Sequence, residues 1–359
     1  MPRGGEPNQK AQLVKALVIG DGKCGKTDWA ARAAAAGFNV LYLDGDVGAQ
    51  TVANLAKDSS HPVSHEAMQR IFLLPIHDQI QSNGMGFEMS SFFRDFTTER
   101  RQLIWNDTQQ RVFSRIKDGD SSPDEIWKIT PSAMNEDWVL VVDSFTALAQ
   151  SSLHWGAEEL GIDLGEIDKA MRDKMRDIYR IVGEKLTQYL TIIRSLRCHV
   201  IVIGHPIEFT KTKKPDNVTI RNAKEQDFKI LWTKMLPKSV TNNHSLTMAK
   251  FFTDIAWMEV DALGKHMIDY RPNPDYMSGS HLNARLDSRE GGSFKDLVLA
   301  IGGAIPDGKQ GFESVIEISQ GYEAAAPKPK PVLDSQGSAP AVKGKGLNLS
   351  SMLNAQKGT

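Results

Sequence analysis

Cysteine is nearly missing from this chain: Cys24 and Cys198 are the two thiols in 359 residues. Two cannot build a disulfide framework, and Cys24 lies inside a glycine-rich turn where a cross-link would obstruct it, so a reducing, cytoplasmic compartment is expected. Long apolar runs are missing as well. No stretch approaches the roughly 20 residues that span a bilayer, and Met1 to Lys10 is polar, without the apolar centre of a secretory signal. A soluble protein with no membrane partner is expected. Charge of one sign is also lacking: 43 Lys and Arg balance 44 Asp and Glu for a net charge of -1, so global charge names no partner. No internal repeat is evident. A hydrophobic content of 40% and a charged content of 24% suit one enlarged α/β domain with appendages.

Apolar runs of strand length alternate with helical patterns. Leu13 to Ile19 reads as a first core strand, Thr27 to Ala36 as a helix stopped by Gly37, and Val40 to Leu43 as a second buried strand. Residues 57–137 form a long mixed segment, with an apolar patch at Arg70 to Pro75 and a helical pattern from about Phe92 to Ile116, placed to cover one flank of a sheet. Trp138 to Val142 is the next buried strand. Ile162 to Leu196 reads as a long helix leading into the strand Val200 to Ile203. This alternation predicts a mostly parallel sheet flanked by helices. Phe251 to Val260 and His266 to Tyr270 predict a hairpin turned at Gly264. Residues 1–12 are expected to be a disordered lead-in to a domain over 13–320. The Lys/Pro/Ala-rich residues 321–359 are expected to be a disordered tail with a short amphipathic patch at Leu347 to Leu353.

The strongest chemical signal is Gly20-Asp21-Gly22-Lys23-Cys24-Gly25-Lys26-Thr27, between a strand and a helix. Glycines let backbone N–H groups face phosphate oxygens, Lys26 reaches the β and γ phosphates, and the Thr27 hydroxyl ligates Mg²⁺. The nucleotide-binding set is therefore Gly20, Asp21, Gly22, Lys23, Cys24, Gly25, Lys26, Thr27 and Asp28, with ATP and Mg²⁺ as cofactors. A buried strand delivers Asp143 to the same sheet edge, where it either completes the magnesium site with Thr27 or caps the next helix. The run Leu41 to Asp46 ends in carboxylates; Asp46 is the preferred catalytic base, with a simple Asp-Gly-Asp turn as the alternative. The strand Val200 to Gly204 ends at His205, a γ-phosphate sensor or a structural imidazole. Residues 208–250 carry nine Lys/Arg against four Asp/Glu. Lys211, Lys213, Lys214, Arg221 and Lys224, with Phe209, Phe228 and Trp232 interleaved, suit either a mobile loop on nucleic acid or a solvated basic surface. His154 and Trp155 are read as packing residues in a loop.

Together, Gly20 to Thr27, Leu41 to Asp46, Val139 to Leu148 and Val200 to His205 resemble the RecA-like P-loop ATPase core. The closer resemblance is to the compact phage single-strand annealing or recombination ATPases, the fourth Sak class, over about residues 13–300. That resemblance implies a DNA-stimulated ATPase acting on single-stranded DNA in recombination, annealing or replication, in the host cytoplasm if phage-encoded. It implies Lys26, Asp46 and His205 as catalytic residues, although the family usually has Glu where Asp46 stands. It also implies DNA contact by the segment after His205, and head-to-tail rings or filaments in which a basic residue acts on the neighbouring subunit. Lys265, Arg285 and Arg289 are the candidates for that role. A protein partner for the tail is a further expectation, against a plain linker. Two rivals stand beside this reading. One is a scaffold that binds ATP with little turnover. The other is a partition ATPase of the ParA/MinD type, which needs a lysine where Asp21 stands.

Overall fold

A computed structural model describes residues 12–46, 48–76, 78, 80–81, 84–85, 88–97, 125–162, 171–213, 229–308 and 315–320. The expected disordered segments at either end, residue 12 apart, lie outside them, as do Lys214, Arg221 and Lys224. The strands are β1 Lys15–Gly20, β2 Asn39–Asp44, β3 Ile71–Pro75, β4 Ile80–Gln81, β5 Gly84–Met85, β6 Glu125–Ile129 and β7 Trp138–Asp143. They continue as β8 His199–Gly204, β9 Pro206–Lys213, β10 Lys229–Pro237, β11 Asp254–Val260, β12 His266–Asp269, β13 Arg285–Asp287 and β14 Ile316–Gln320. The α-helices are α1 Lys26–Ala31, α2 Ala49–Ala53, α3 His65–Met68, α4 Glu88–Thr97, α5 Phe145–Glu159, α6 Met171–Ser195, α7 Asn242–Thr247 and α8 Phe294–Ala300.

Among the described residues the main sheet has eight strands in the order β13-β12-β11-β1-β8-β7-β2-β3. The six from β11 to β3 are parallel, and β12 and β13 add on antiparallel. The expected mostly parallel α/β sheet is the observed one. Its inner strands are apolar without alternation because both faces are covered. Period two still sorts the side chains: Leu17, Ile19, Leu41, Leu43, Leu140 and Val142 pack beneath α4, α5 and α6. Val18, Val40, Val139, Val141 and Ile203 pack on the other side with Trp29, Phe38 and Phe294, from α1, the turn after it and α8. Gly37 ends the alanine-rich helix in the left-handed conformation, at φ 103°. A side chain there would also meet the Pro306 carbonyl at 2.6 Å.

Four departures from the sequence reading matter. The residues after His205 do not begin a loop: β9 and β10 pair antiparallel from Pro206↔Pro237 to Lys213↔Lys229, with an irregularity between Ile230 and Trp232. Alternation is broken there, so β10 lacks the regular period of a strand. His154 and Trp155 lie within α5 rather than in a loop. The patch at Arg70 to Pro75 is β3, an edge strand of the main sheet paired to β2. Finally, β14 pairs with β6, from Ile316↔Ile129 to Gln320↔Glu125, a partnership between distant segments that local sequence cannot announce. Of the long helical pattern from Phe92, the part up to Thr97 is α4, and the rest lies outside the described residues. No helix among the described residues is long and apolar enough to cross a membrane.

Candidate nucleotide site

Parallel strands aim their carboxyl ends at one edge, and the ends of β1, β2, β7 and β8 form it. The loop leaving β1 needs its glycines for two separate reasons. A side chain at Gly20 would meet the Met258 carbonyl oxygen at 2.2 Å, so β11 packs too closely for one. Gly25 has φ 95° and faces His266, whose Nδ1 lies 2.8 Å from the Cys24 carbonyl. Lys23 adopts φ 64°, which bends the loop between those glycines. Asp21, Gly22 and Lys23 are exposed, whereas Cys24 and Lys26 are buried. The Lys26 ammonium donates to the carbonyls of Gly20 and Asp21, at 2.6 Å each. Burial pushes the Cys24 thiol up against the pull of the Lys26 charge, which leaves it a protonated packing group. Asp28 is engaged sideways by Arg32 at 2.9 Å and Arg289 at 3.4 Å.

Thr27 Oγ1 donates to Asp143 Oδ2 at 2.7 Å, across 116 residues of chain. Asp143 does not cap α5; Ser144 does, accepting from the Ala147 amide. The Asp143–Ser144 peptide is cis. Burial raises the Asp143 carboxyl to about 6; bonds from Tyr42 and Thr27 pull it down, and the charges of Asp46 and Asp44 push it up again. A hydroxyl and a carboxylate in contact are the hard oxygen donors that suit magnesium. Asp46 lies beside His205, with Oδ2 to Nε2 at 2.9 Å. Burial raises the Asp46 carboxyl, but hydrogen bonds from His205 and Ser144 and the charges of His205 and Lys26 outweigh it and hold it below its ordinary value. The His205 amide donates to Thr146 Oγ1 at 3.1 Å, tying the end of β8 to α5.

Several contributors escaped the sequence reading. Asp44 organises the edge: its oxygens accept the Gly48 and Ala49 amides at 2.7 and 2.8 Å and so start α2. An Asp ending a strand before a Gly-rich turn is a signal that local sequence carries. Tyr42 on Asp143, Thr146 under His205 and His266 on the loop carried no such signal, because each acts across the fold. Of the basic residues considered for a trans role, Arg285 pairs with Glu259. Arg289 reaches Asp28 and also Asp58, the latter at 3.2 Å. Lys265 is exposed in the hairpin turn, its amide on Asp261. Lys211 is exposed on β9, and Lys213 ends that strand.

A phosphate loop on a parallel sheet, with a threonine–aspartate pair at its rim, describes many enzymes. The family model described as "AAA domain" matches residues 13–279, which is most of the chain. The chain belongs to that AAA-domain family. It is accordingly a P-loop ATPase that binds nucleotide, and such domains usually work with magnesium. The matched span begins just before β1 and runs past the β11–β12 hairpin, so it covers every site residue named above except Arg285 and Arg289. No curated protein matches the chain.

Proposed function

We propose that this ATPase uses nucleotide to control a grip on single-stranded DNA, in recombination, annealing or replication of the phage type, as a ring or filament of identical subunits. One observation carries the reading. His205, 2.9 Å from Asp46 at the nucleotide site, is followed without a break by the ribbon of β9 and β10. The far part of that ribbon sets Lys211 opposite Trp232 and Lys213 opposite Lys229, with Ile230 and Leu231 exposed beside them. A ribbon rich in lysine, with aromatic and apolar residues interleaved in its sequence, suits an unpaired strand, whose phosphates need charge and whose bases need a surface to stack on.

In this reading Lys26 neutralises the β and γ phosphates, Thr27 and Asp143 hold the cation that accompanies them, and Asp46 accepts the proton of the attacking water. His205 would leave Asp46 for the γ phosphate and pull on the first residue of the ribbon. A carboxyl held below its ordinary value is a weak base, and Asp46 is one carbon shorter than the usual Glu. Slow turnover follows, and the same observation favours a second reading, a scaffold that binds ATP to assemble and rarely hydrolyses it.

Phosphate release with and without single-stranded DNA, for the native chain and for Lys26→Ala, separates the two. The motor reading requires a native rate that DNA raises and that Lys26→Ala abolishes. A native rate no higher than that of Lys26→Ala under both conditions would leave the scaffold. Replacing Lys211, Lys213 and Lys214 with Ala should lower the slope of log affinity against log salt by about 2, at roughly 0.7 per lost phosphate contact. Unchanged DNA binding would remove the ribbon from the reading.

A further inference from the structure

We infer that Tyr42 is a positioning residue for the magnesium pair: its buried hydroxyl holds Asp143 so that Thr27 presents its oxygen to the cation. The inference rests on the reading of Thr27 and Asp143 as the metal-binding pair. Tyr42 sits in the middle of β2, whose neighbours in the strand are Leu41 and Leu43, and it is 0% exposed. A phenol hydroxyl buried without a partner costs about 1–3 kcal/mol, so a bare packing role would be filled better by Phe. Here the hydroxyl donates to Asp143 Oδ2, the same oxygen that accepts Thr27 Oγ1.

Two consequences follow from both donors meeting one oxygen. The carboxylate is fixed in rotation, because turning it would break two bonds at once. The proton of Thr27 is also assigned: it points at Asp143, which leaves the lone pairs of that hydroxyl for a cation. The backbone closes over the same oxygen, since a side chain at Gly48 would come within 3.2 Å of both Asp143 Oδ2 and Thr27 Cγ2. Asp143 Oδ2 is thus enclosed by Tyr42, Thr27 and Gly48, which makes it an internal anchor. Residues that orient a metal-binding group from behind typically change metal affinity 10–100-fold when removed.

The test is binding of a fluorescent ATP analogue to the full chain, titrated with Mg²⁺ and repeated in EDTA, for the native protein, Tyr42→Phe and Asp143→Asn. Thermal unfolding of each variant serves as the folding control. Tyr42→Phe is expected to keep native nucleotide affinity in EDTA within about twofold and to need roughly tenfold more Mg²⁺ for half-maximal tightening. A native Mg²⁺ requirement in Tyr42→Phe, with a raised one in Asp143→Asn, would overturn the role of Tyr42 and leave the metal pair standing. A native requirement in Asp143→Asn would overturn the metal pair itself, and the inference with it. Should Tyr42→Phe fail to fold, 3-fluorotyrosine placed at position 42 keeps the packing and the bond. Its fluorine resonance is expected to move when Mg²⁺ is added with ATP and not with ATP alone. A resonance indifferent to Mg²⁺ overturns the inference.

Discussion

Asp143 and Asp269 both have almost no accessible surface, at 3% and 1% exposure, but Asp143 lies much deeper in the fold, and the two carboxyls shift in opposite directions. Burial pushes Asp269 up, but bonds from Arg271 and Tyr276 outweigh it and leave the carboxyl below its ordinary value. Both of its oxygens are covered: Oδ1 by the Arg271 amide and Nε, Oδ2 by Arg271 and the Tyr276 hydroxyl. Asp254, at the start of β11, is treated alike. It takes His281 and Ser280 on Oδ1 and Thr253 on Oδ2. At the nucleotide edge, by contrast, Thr27 and Tyr42 both donate to Oδ2 of Asp143, and the carboxyl rises to about 6. The carboxylates of the hairpin flank are bound up to hold the chain together. The one at the strand ends is left undercompensated, and a bound cation would supply what is missing.

The largest effect that could break this comparison is expected from Asp143→Asn. Hydrolysis should fall about 100-fold, some 2.7 kcal/mol of barrier. Metal-free stability at pH 7.5 should rise by about 1–3 kcal/mol, because the variant removes a charge that burial disfavours. Phosphate release and denaturant unfolding in EDTA read the two quantities, and a loss of stability would count against the contrast. Asp269→Asn should do the reverse, costing about 1–2 kcal/mol of stability while activity per folded molecule holds. A fall in turnover at full folding would place Asp269 in the chemistry.

A more gradual effect, spread over about three pH units, comes from acidification. His199 accepts the Val14 amide on Nδ1, and burial lowers it to about 4; burial likewise lowers His244 to about 4. Both bind protons more readily when unfolded, so their contribution is intact above pH 6.5 and is lost as pH falls towards 4. The loss approaches about 3 kcal/mol each. Asp143 opposes them, since a carboxyl raised to about 6 binds protons more readily when folded, and stability gains from it as pH falls from 6 towards 3.8. Urea midpoints between pH 7 and 4 should therefore decline, and decline more steeply in Asp143→Asn. The smallest effect belongs to Arg285→Ala. Its pair with Glu259 is 37% exposed on both sides, and such pairs contribute less than about 0.5 kcal/mol. Full stability together with a loss of hydrolysis only at concentrations where the protein assembles would assign Arg285 to the neighbouring subunit's site.

Legibility tracked the distance over which each feature is built. The first strand, its glycine-rich turn and the following helix are contiguous, so residue types alone located Gly20 to Thr27. The unbroken apolar runs 139–142 and 200–203 announced strands covered on both faces, and with them the placing of Asp143 and His205 at one edge. The paired β9 and β10 escaped because β9 is short of apolar residues beyond Phe209 and a register shift spoils the alternation of β10, and β3 because an apolar run without a motif could serve any element.

What the sequence determined by itself is the glycine-rich loop, the parallel sheet and the edge where its strands deliver Asp143 and His205, since each follows from neighbours within a few residues. Tertiary structure alone decided which groups meet there. Tyr42 finds Asp143 across 101 residues and His205 finds Asp46 across 159. Partners so far apart are chosen by strand order and register, which pack β7 between β2 and β8, and no local pattern encodes that choice.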